Sequence, residues 1–425
     1  MMNTQTDAGP KITDEGIEKL RARIGIAQPN PVPPHYLSPS TDTFRIVAQS
    51  YGDDNPLWCD PAYAAASRWG GPLAPPPLVG GDSIIGTDVL TDTDLARQDE
   101  LKGDPLRGVH AFYSACEREW WAPLRPHRSQ QRRNALVGVL DKSSEFAGRA
   151  VHEWNANIFA DTETGKPLAG QYRLMIRTER SEATKRKKYD AIEPWTWTEE
   201  AIDELDALYA QEAPRGNEPR WFEDVEVGDA LTPMLKGPLT VTDMVVWHTG
   251  MGMGMYGVAP LRLAYQNRQR IPRFYHRDPQ GMWDAMQRVH WDPEFARRSG
   301  NPTTFDYGRM RETWMIHALT DWMGDDAWLW KLRVEFRKFN YVGDAQFITG
   351  TVTRKYLAED ARGLHPAVDL ELQATSQRGE VTAPATATVL LPSHERGAVA
   401  LPAPIGGASN LFDATEAAIA HFSER

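Results

Sequence analysis

The cleanest pattern in the chain lies in WKLRVEFRKF, where Trp330, Leu332, Val334 and Phe336 alternate with Lys331, Arg333, Glu335 and Arg337. A period of two marks a strand with one dry and one wet face. Ala367 to Thr375 repeats it, with Val368, Leu370, Leu372 and Ala374 set against Asp369, Glu371 and Gln373. Phe347 to Tyr356 and Val381 to Leu391 read as further strands, and Arg378-Gly379 marks a turn between two of them. Ahead of these strands, Gly308 to Met323 is apolar on most faces from Trp314 onward, and Gly324 stops it. A helix apolar nearly all round must be wrapped. The strands that follow need a face covered.

The first half repeats this order more faintly. A Pro/Gly-rich turn, Gly70 to Pro77, leads into a predicted helix over Leu78 to Leu90. Strands are then predicted at Val109 to Trp120, Asn134 to Leu140, Arg149 to Phe159 and Gln171 to Arg177. Two copies of a long helix followed by antiparallel strands make an α+β architecture. Between them Thr198 caps a short helix with Glu199 and Glu200 in its first turn. The basic cluster Lys185, Arg186, Lys187 and Lys188 reads as solvated surface. The expected division is an arm over 1–37, a first unit over 38–178, a linker over 179–220, a second unit over 221–392 with an insertion over 251–283, and a tail over 393–425.

Charge narrows the function classes. The 425 residues hold 58 Asp and Glu against 47 Lys and Arg, a net charge of −11. That excludes general phosphate-backbone binding, which needs a basic surface, and argues against an anionic membrane surface. No apolar run approaches the roughly 20 residues of a membrane span, and MMNTQTDAGPKITDEG lacks the pattern of a signal peptide. Cys59 and Cys116 are the only cysteines, which excludes a disulfide framework and a Cys-rich zinc site. No HxxxH-type spacing suggests a metal. The expectation is a cytoplasmic protein that binds no metal.

Three runs carry a family resemblance. SYGDDNPLWCDPAYAA holds Gly52-Asp53-Asp54-Asn55-Pro56-Leu57 and then Asp60-Pro61, and RVHWDPEFARRSG holds His290 and then Asp292-Pro293. WFEDVEVGDALTPMLKGPLTVTDMVVW, Trp221 to Trp247, is similar to the opening of a second domain of the same kind. Together they resemble the MaoC-like dehydratases, the R-specific enoyl-CoA hydratases. The resemblance implies a double hotdog fold, two units that each wrap a long central helix in an antiparallel sheet. It also implies an acyl-CoA thioester as substrate, with coenzyme A part of the substrate and no separate cofactor.

The family motif carries an Asp, then Asn-Pro, then a His five residues after the Asp. Hydrating a 2-enoyl thioester needs a base for water, an acid for the α-carbon and donors for the charge on the thioester oxygen. The first unit keeps Asp53 and Asn55 but has Trp58 where the His belongs, and Pro75, Pro76 and Pro77 have no N–H to offer at the helix start. Asp53 is therefore read as structural and the second unit as catalytic.

There His290 is the matching histidine. Asp284, one position out of register, and Asp292 are the carboxylates near it, and Gly308 is the oxyanion donor. Tyr307 and the insertion residues Arg273 and Arg277 are expected to bind the substrate; Arg262, Arg268 and Arg270 belong to the same arginine-rich stretch. His248 and His317 read as satisfied core histidines. The implied activity is a hydro-lyase acting on 2-enoyl-CoA or 3-hydroxyacyl-CoA, in a chain that can assemble as a homo-oligomer. A hotdog thioesterase and a non-catalytic acyl-CoA-binding partner remain alternatives.

Overall fold

The computed structural model describes residues 11–29, 34–81, 87–144, 148–179, 193–252 and 258–423. The basic cluster at 185–188 and the start of the insertion, 253–257, lie outside the described residues. Helix α1 (Asp14–Arg21) is capped by Thr13, and α2 (Thr41–Ser50) by a reciprocal Ser40/Thr43 capping box. The first unit then supplies β1 (Thr87–Asp88), β2 (His110–Trp120), β3 (Gln130–Ser144), β4 (Gly148–Asp161) and β5 (Pro167–Thr178). Helix α3 (Glu199–Tyr209), capped by Thr198, leads to β6 (Met234–Lys236) and α4 (Val241–Gly250). The insertion folds as α5 (Leu261–Arg270) and a ribbon of β7 (Tyr275–Arg277) with β8 (Trp283–Ala285). Central helix α6 (Gly308–Met323) follows, then β9 (Trp328–Glu335), β10 (Gln346–Asp360), β11 (Gly363–Ser376), β12 (Val381–Leu390) and α7 (Leu411–Ser423).

Ten strands form one sheet in the order β1-β3-β4-β5-β2-β9-β12-β11-β10-β6. Every ladder except β1–β3 is antiparallel, and the two units join through β2 and β9, with Cys116 opposite Val334. In the first unit β2 pairs with β5, β5 with β4 and β4 with β3; in the second β9 pairs with β12, β12 with β11 and β11 with β10. That shared order is the internal repeat. Helix α6 is buried along fifteen of its sixteen residues, as its all-round apolar pattern requires. No described helix is long and apolar enough to cross a membrane.

The first unit departs from the expected helix over Leu78 to Leu90. Residues 76–80 form turns, Thr87–Asp88 is a strand paired parallel to β3, and 82–86 lie outside the described residues. Prolines 75–77 remove successive amide donors. Gly80 adopts φ +78°, and a Cβ there would stand 3.1 Å from Ala169 Cβ. Helix α6 instead reaches across, and its Glu312 forms an ion pair with Arg118 of β2, both fully buried. The opposite face of the first unit is covered by α7 from the C-terminal segment, where Phe422 packs 4.7 Å from Trp154 and 4.8 Å from Tyr172, ring to ring.

Candidate active site

His290 ends a tight turn over Met286–His290 that follows the insertion ribbon. Its Nδ1 lies 2.8 Å from the carbonyl oxygen of Phe305. A carbonyl only accepts, so the proton sits on Nδ1 and Nε2 carries the lone pair. Burial pushes the ring's pKa down to about 4, against that hydrogen bond and with help from nearby His248. At neutral pH His290 is an uncharged base.

Its ring packs 3.9 Å from Tyr307, the residue that precedes α6. Tyr307 gives no side-chain cap to the helix, although its carbonyl accepts from Met310 N–H at 2.8 Å, and Gly308 stands at the positive end of the helix. The Tyr307 ring also stacks on Trp247 at 5.4 Å and tilts against His248 at 5.3 Å. Its hydroxyl is buried without a partner among the described residues, as are both ring nitrogens of His248. Burial, reinforced by His35, holds His248 down to about 4.

The remaining expected residues lie elsewhere. Asp284 is in β8, opposite His276, and its Oδ1 accepts from the N–H of Ala285 at 2.7 Å. No hydrogen bond or ion pair joins it to His290 among the described residues. Asp292 caps the short helix Pro293–Arg298, accepting from Phe295 N–H at 3.0 Å. Arg273 and Arg277 are exposed on the insertion arm, where Arg277 donates to Gly281 O at 3.1 Å and lies 4.8 Å above the Trp283 ring.

A second group of ionisable side chains surrounds His317, near the other end of α6. Lys236 Nζ is 2.8 Å from His317 Nδ1 and 3.3 Å from Glu212. His317 Nε2 faces Asp321 at 3.4 Å and Asp53 at 3.8 Å. Asp53 itself accepts from Tyr51 OH, Trp58 Nε1 and Asn55 N–H, each at 2.9 Å. Asp53, His317 and Asp321 are close enough to share a cation, and Lys236 Nζ stands beside the same cluster, its pKa lowered by burial. Beside Lys236 and Glu212 opens a cleft of about 480 Å3, lined also by Tyr51, Tyr209, Met310 and Trp314.

No known family profile matches the sequence, and no curated protein does. Solved structures do match. A MaoC-like dehydratase superposes with a TM-score of 0.56 at 17% identity, over 87% of this chain and 99% of that one. The chain has the fold of the MaoC-like dehydratases. A MaoC domain dehydratase of Chloroflexus aurantiacus J-10-fl is similar at a TM-score of 0.49 and 12% identity, over 87% of this chain and 96% of that one. A Mycobacterium tuberculosis protein described as a double hotdog is similar at 0.44 and 12%, over 83% of this chain and 93% of that one.

Within this MaoC-like fold, His317 is the satisfied core histidine expected from its apolar surroundings, bonded to Lys236 within an ionic cluster. His248 is buried with neither ring nitrogen bonded among the described residues. The signal for His248 was present in the helical period. Met244, Trp247, His248 and Met251 fall at spacings that share one face, and all four are buried.

Proposed function

We propose that the protein is an acyl-thioester hydratase/dehydratase, adding water to a 2-enoyl-CoA or removing it from a 3-hydroxyacyl-CoA. The observation that carries this reading is His290 held as a free base beside the uncapped N-terminal turn of α6. His290 Nε2 takes a proton from water as the water oxygen bonds to C3. The π electrons move toward C2 and the thioester oxygen, where the Gly308 N–H and the helix's positive end stabilise the charge. The imidazolium then returns the proton to C2. Tyr307 forms a wall for the acyl group, and Arg273 and Arg277 meet the phosphates of coenzyme A.

A thioesterase would need a carboxylate beside the attacking water. The second unit's nearest sequence candidates, Asp284 and Asp292, are engaged in backbone hydrogen bonds instead. The test is incubation with short and long 2-enoyl-CoAs followed by separation of products. 3-Hydroxyacyl-CoA is expected. Free CoA would favour the thioesterase, and unchanged substrate a binding protein. His290→Ala is expected to lower the hydration rate by about 10²–10⁴-fold.

A further inference from the structure

Five residues before His290, where the family motif places its carboxylate, stands Ala285, a buried side chain with no group to offer. We propose that His248 fills that vacancy as a second catalytic residue, holding the attacking water against His290. The inference rests on the hydratase reading above.

Two observations carry it. The first is that His248 and Tyr307 are each only 8% exposed, yet both ring nitrogens of His248 and the Tyr307 hydroxyl have no partner among the described residues. Buried polar groups in native proteins are nearly always bonded, so unpartnered ones mark a place kept for water or ligand. The His248 ring lies 5.3 Å from the Tyr307 ring, against which the His290 ring also packs at 3.9 Å. The second observation is the placement of His248 on α4. Val245 and Val246 are 52% and 49% exposed while His248 is buried. Burying an unbonded imidazole costs stability, and exposing two valines forgoes the gain they would bring. His248 shares its buried face with Met244 and Trp247.

The chemistry follows from the protonation states. Nε2 of His290 accepts one hydrogen of the water, and the unprotonated ring nitrogen of neutral His248 accepts the other. That grip aims an oxygen lone pair at C3. His248 exchanges no proton: one O–H bond breaks, one C3–O bond forms, and the proton passes through His290 to C2. A neutral imidazole thus supplies the acceptor that a carboxylate supplies in the family motif.

The experiment compares His248→Phe and His248→Gln with the wild-type protein, measuring kcat and KM for 2-enoyl-CoA hydration and the thermal midpoint. His248→Phe removes unsatisfied polar atoms at similar shape, so the midpoint should hold or rise. Its kcat should fall about 10²–10³-fold, with KM within about three-fold. His248→Gln, which keeps an acceptor, should recover at least about ten-fold of that loss. Wild-type kcat in His248→Phe, with His290→Ala inactive, would overturn this inference and leave the hydratase reading standing. A rise in KM alone would also overturn it, reducing His248 to a binding role. A wild-type protein that hydrates no enoyl-CoA would overturn the hydratase reading, and this inference with it. If His248→Phe does not fold, His248→Leu, which also offers no acceptor, decides: a kcat well below wild type supports the role, and wild-type kcat removes it.

Discussion

The indole N–H of Trp58 donates to Asp53 Oδ2 at 2.9 Å, so the residue standing in the motif's histidine position still engages the motif's aspartate. An indole can only donate. The pair therefore cannot shuttle protons, and it fixes the carboxylate together with Tyr51 and Asn55. Asp53→Asn would turn an amide NH2 or lose an acceptor toward two donors, at a cost of about 2–4 kcal/mol in stability. Urea unfolding should show that loss, while hydration per folded molecule stays within a few-fold of wild type. A rate loss beyond about 100-fold at unchanged stability would place Asp53 in the reaction.

Asp321 gives the protein a pH dependence of known sign. Burial raises its carboxyl to about 7, with Lys236 opposing and Asp54 reinforcing. Between about pH 4, where the unfolded carboxyl titrates, and pH 7, the folded protein binds more protons at this site, so its contribution weakens as pH rises. Asp321→Asn should match wild-type stability near pH 4 and exceed it by about 2–4 kcal/mol at pH 8. His317, pushed down to about 4 mainly by burial, acts in the opposite sense, losing stability as pH falls from about 6.5 toward 4. Denaturant midpoints across pH 4 to 8 separate the two, and a pH-independent Asp321→Asn difference would refute the assignment.

The buried ion pair of Arg118 and Glu312 couples β2 of the first unit to the helix of the second. Removing one partner leaves a buried charge unpaired, so Glu312→Leu alone should cost about 3–5 kcal/mol. Arg118→Met with Glu312→Leu should recover most of that loss. Double-mutant-cycle unfolding measures it, and a single variant costing under about 1 kcal/mol would show that the pair is not coupled.

The C-terminal helix should be needed by the first unit. A Cβ added at Gly138 would stand 2.4 Å from the carbonyl oxygen of Phe422, so α7 lies directly on β3. Phe422→Ala is expected to cost about 3–5 kcal/mol, and Gly138→Ala to lift the helix and raise hydrogen exchange across 411–423. Unchanged exchange in Gly138→Ala would mean the contact is looser than described.

The alternating strands were legible because a half-covered sheet writes its period directly into neighbouring residues. WKLRVEFRKF needed no distant information to show which face is dry, and the segment from Gly308 to its stop at Gly324 declared itself the same way. His290 and Gly308 were singled out through spacing and family resemblance; in the structure His290 packs against Tyr307, directly before Gly308 at the N-terminal end of α6.

Other features had no local signature. The apolar stretch after Pro77 reads as a helix until glycine and strand pairing at Thr87 override it. His248 and His317 look alike in sequence, each an imidazole among apolar helical neighbours. They differ because Lys236, 81 positions from His317, brings its amine to one ring while the other has no bond among the described residues. The Arg118–Glu312 pair spans 194 positions. By itself the sequence determined where the chain forms strands and its central helix, because backbone periodicity is local. Which buried polar groups find partners was decided only by tertiary structure, because desolvation and charge pairing depend on residues that folding alone brings together.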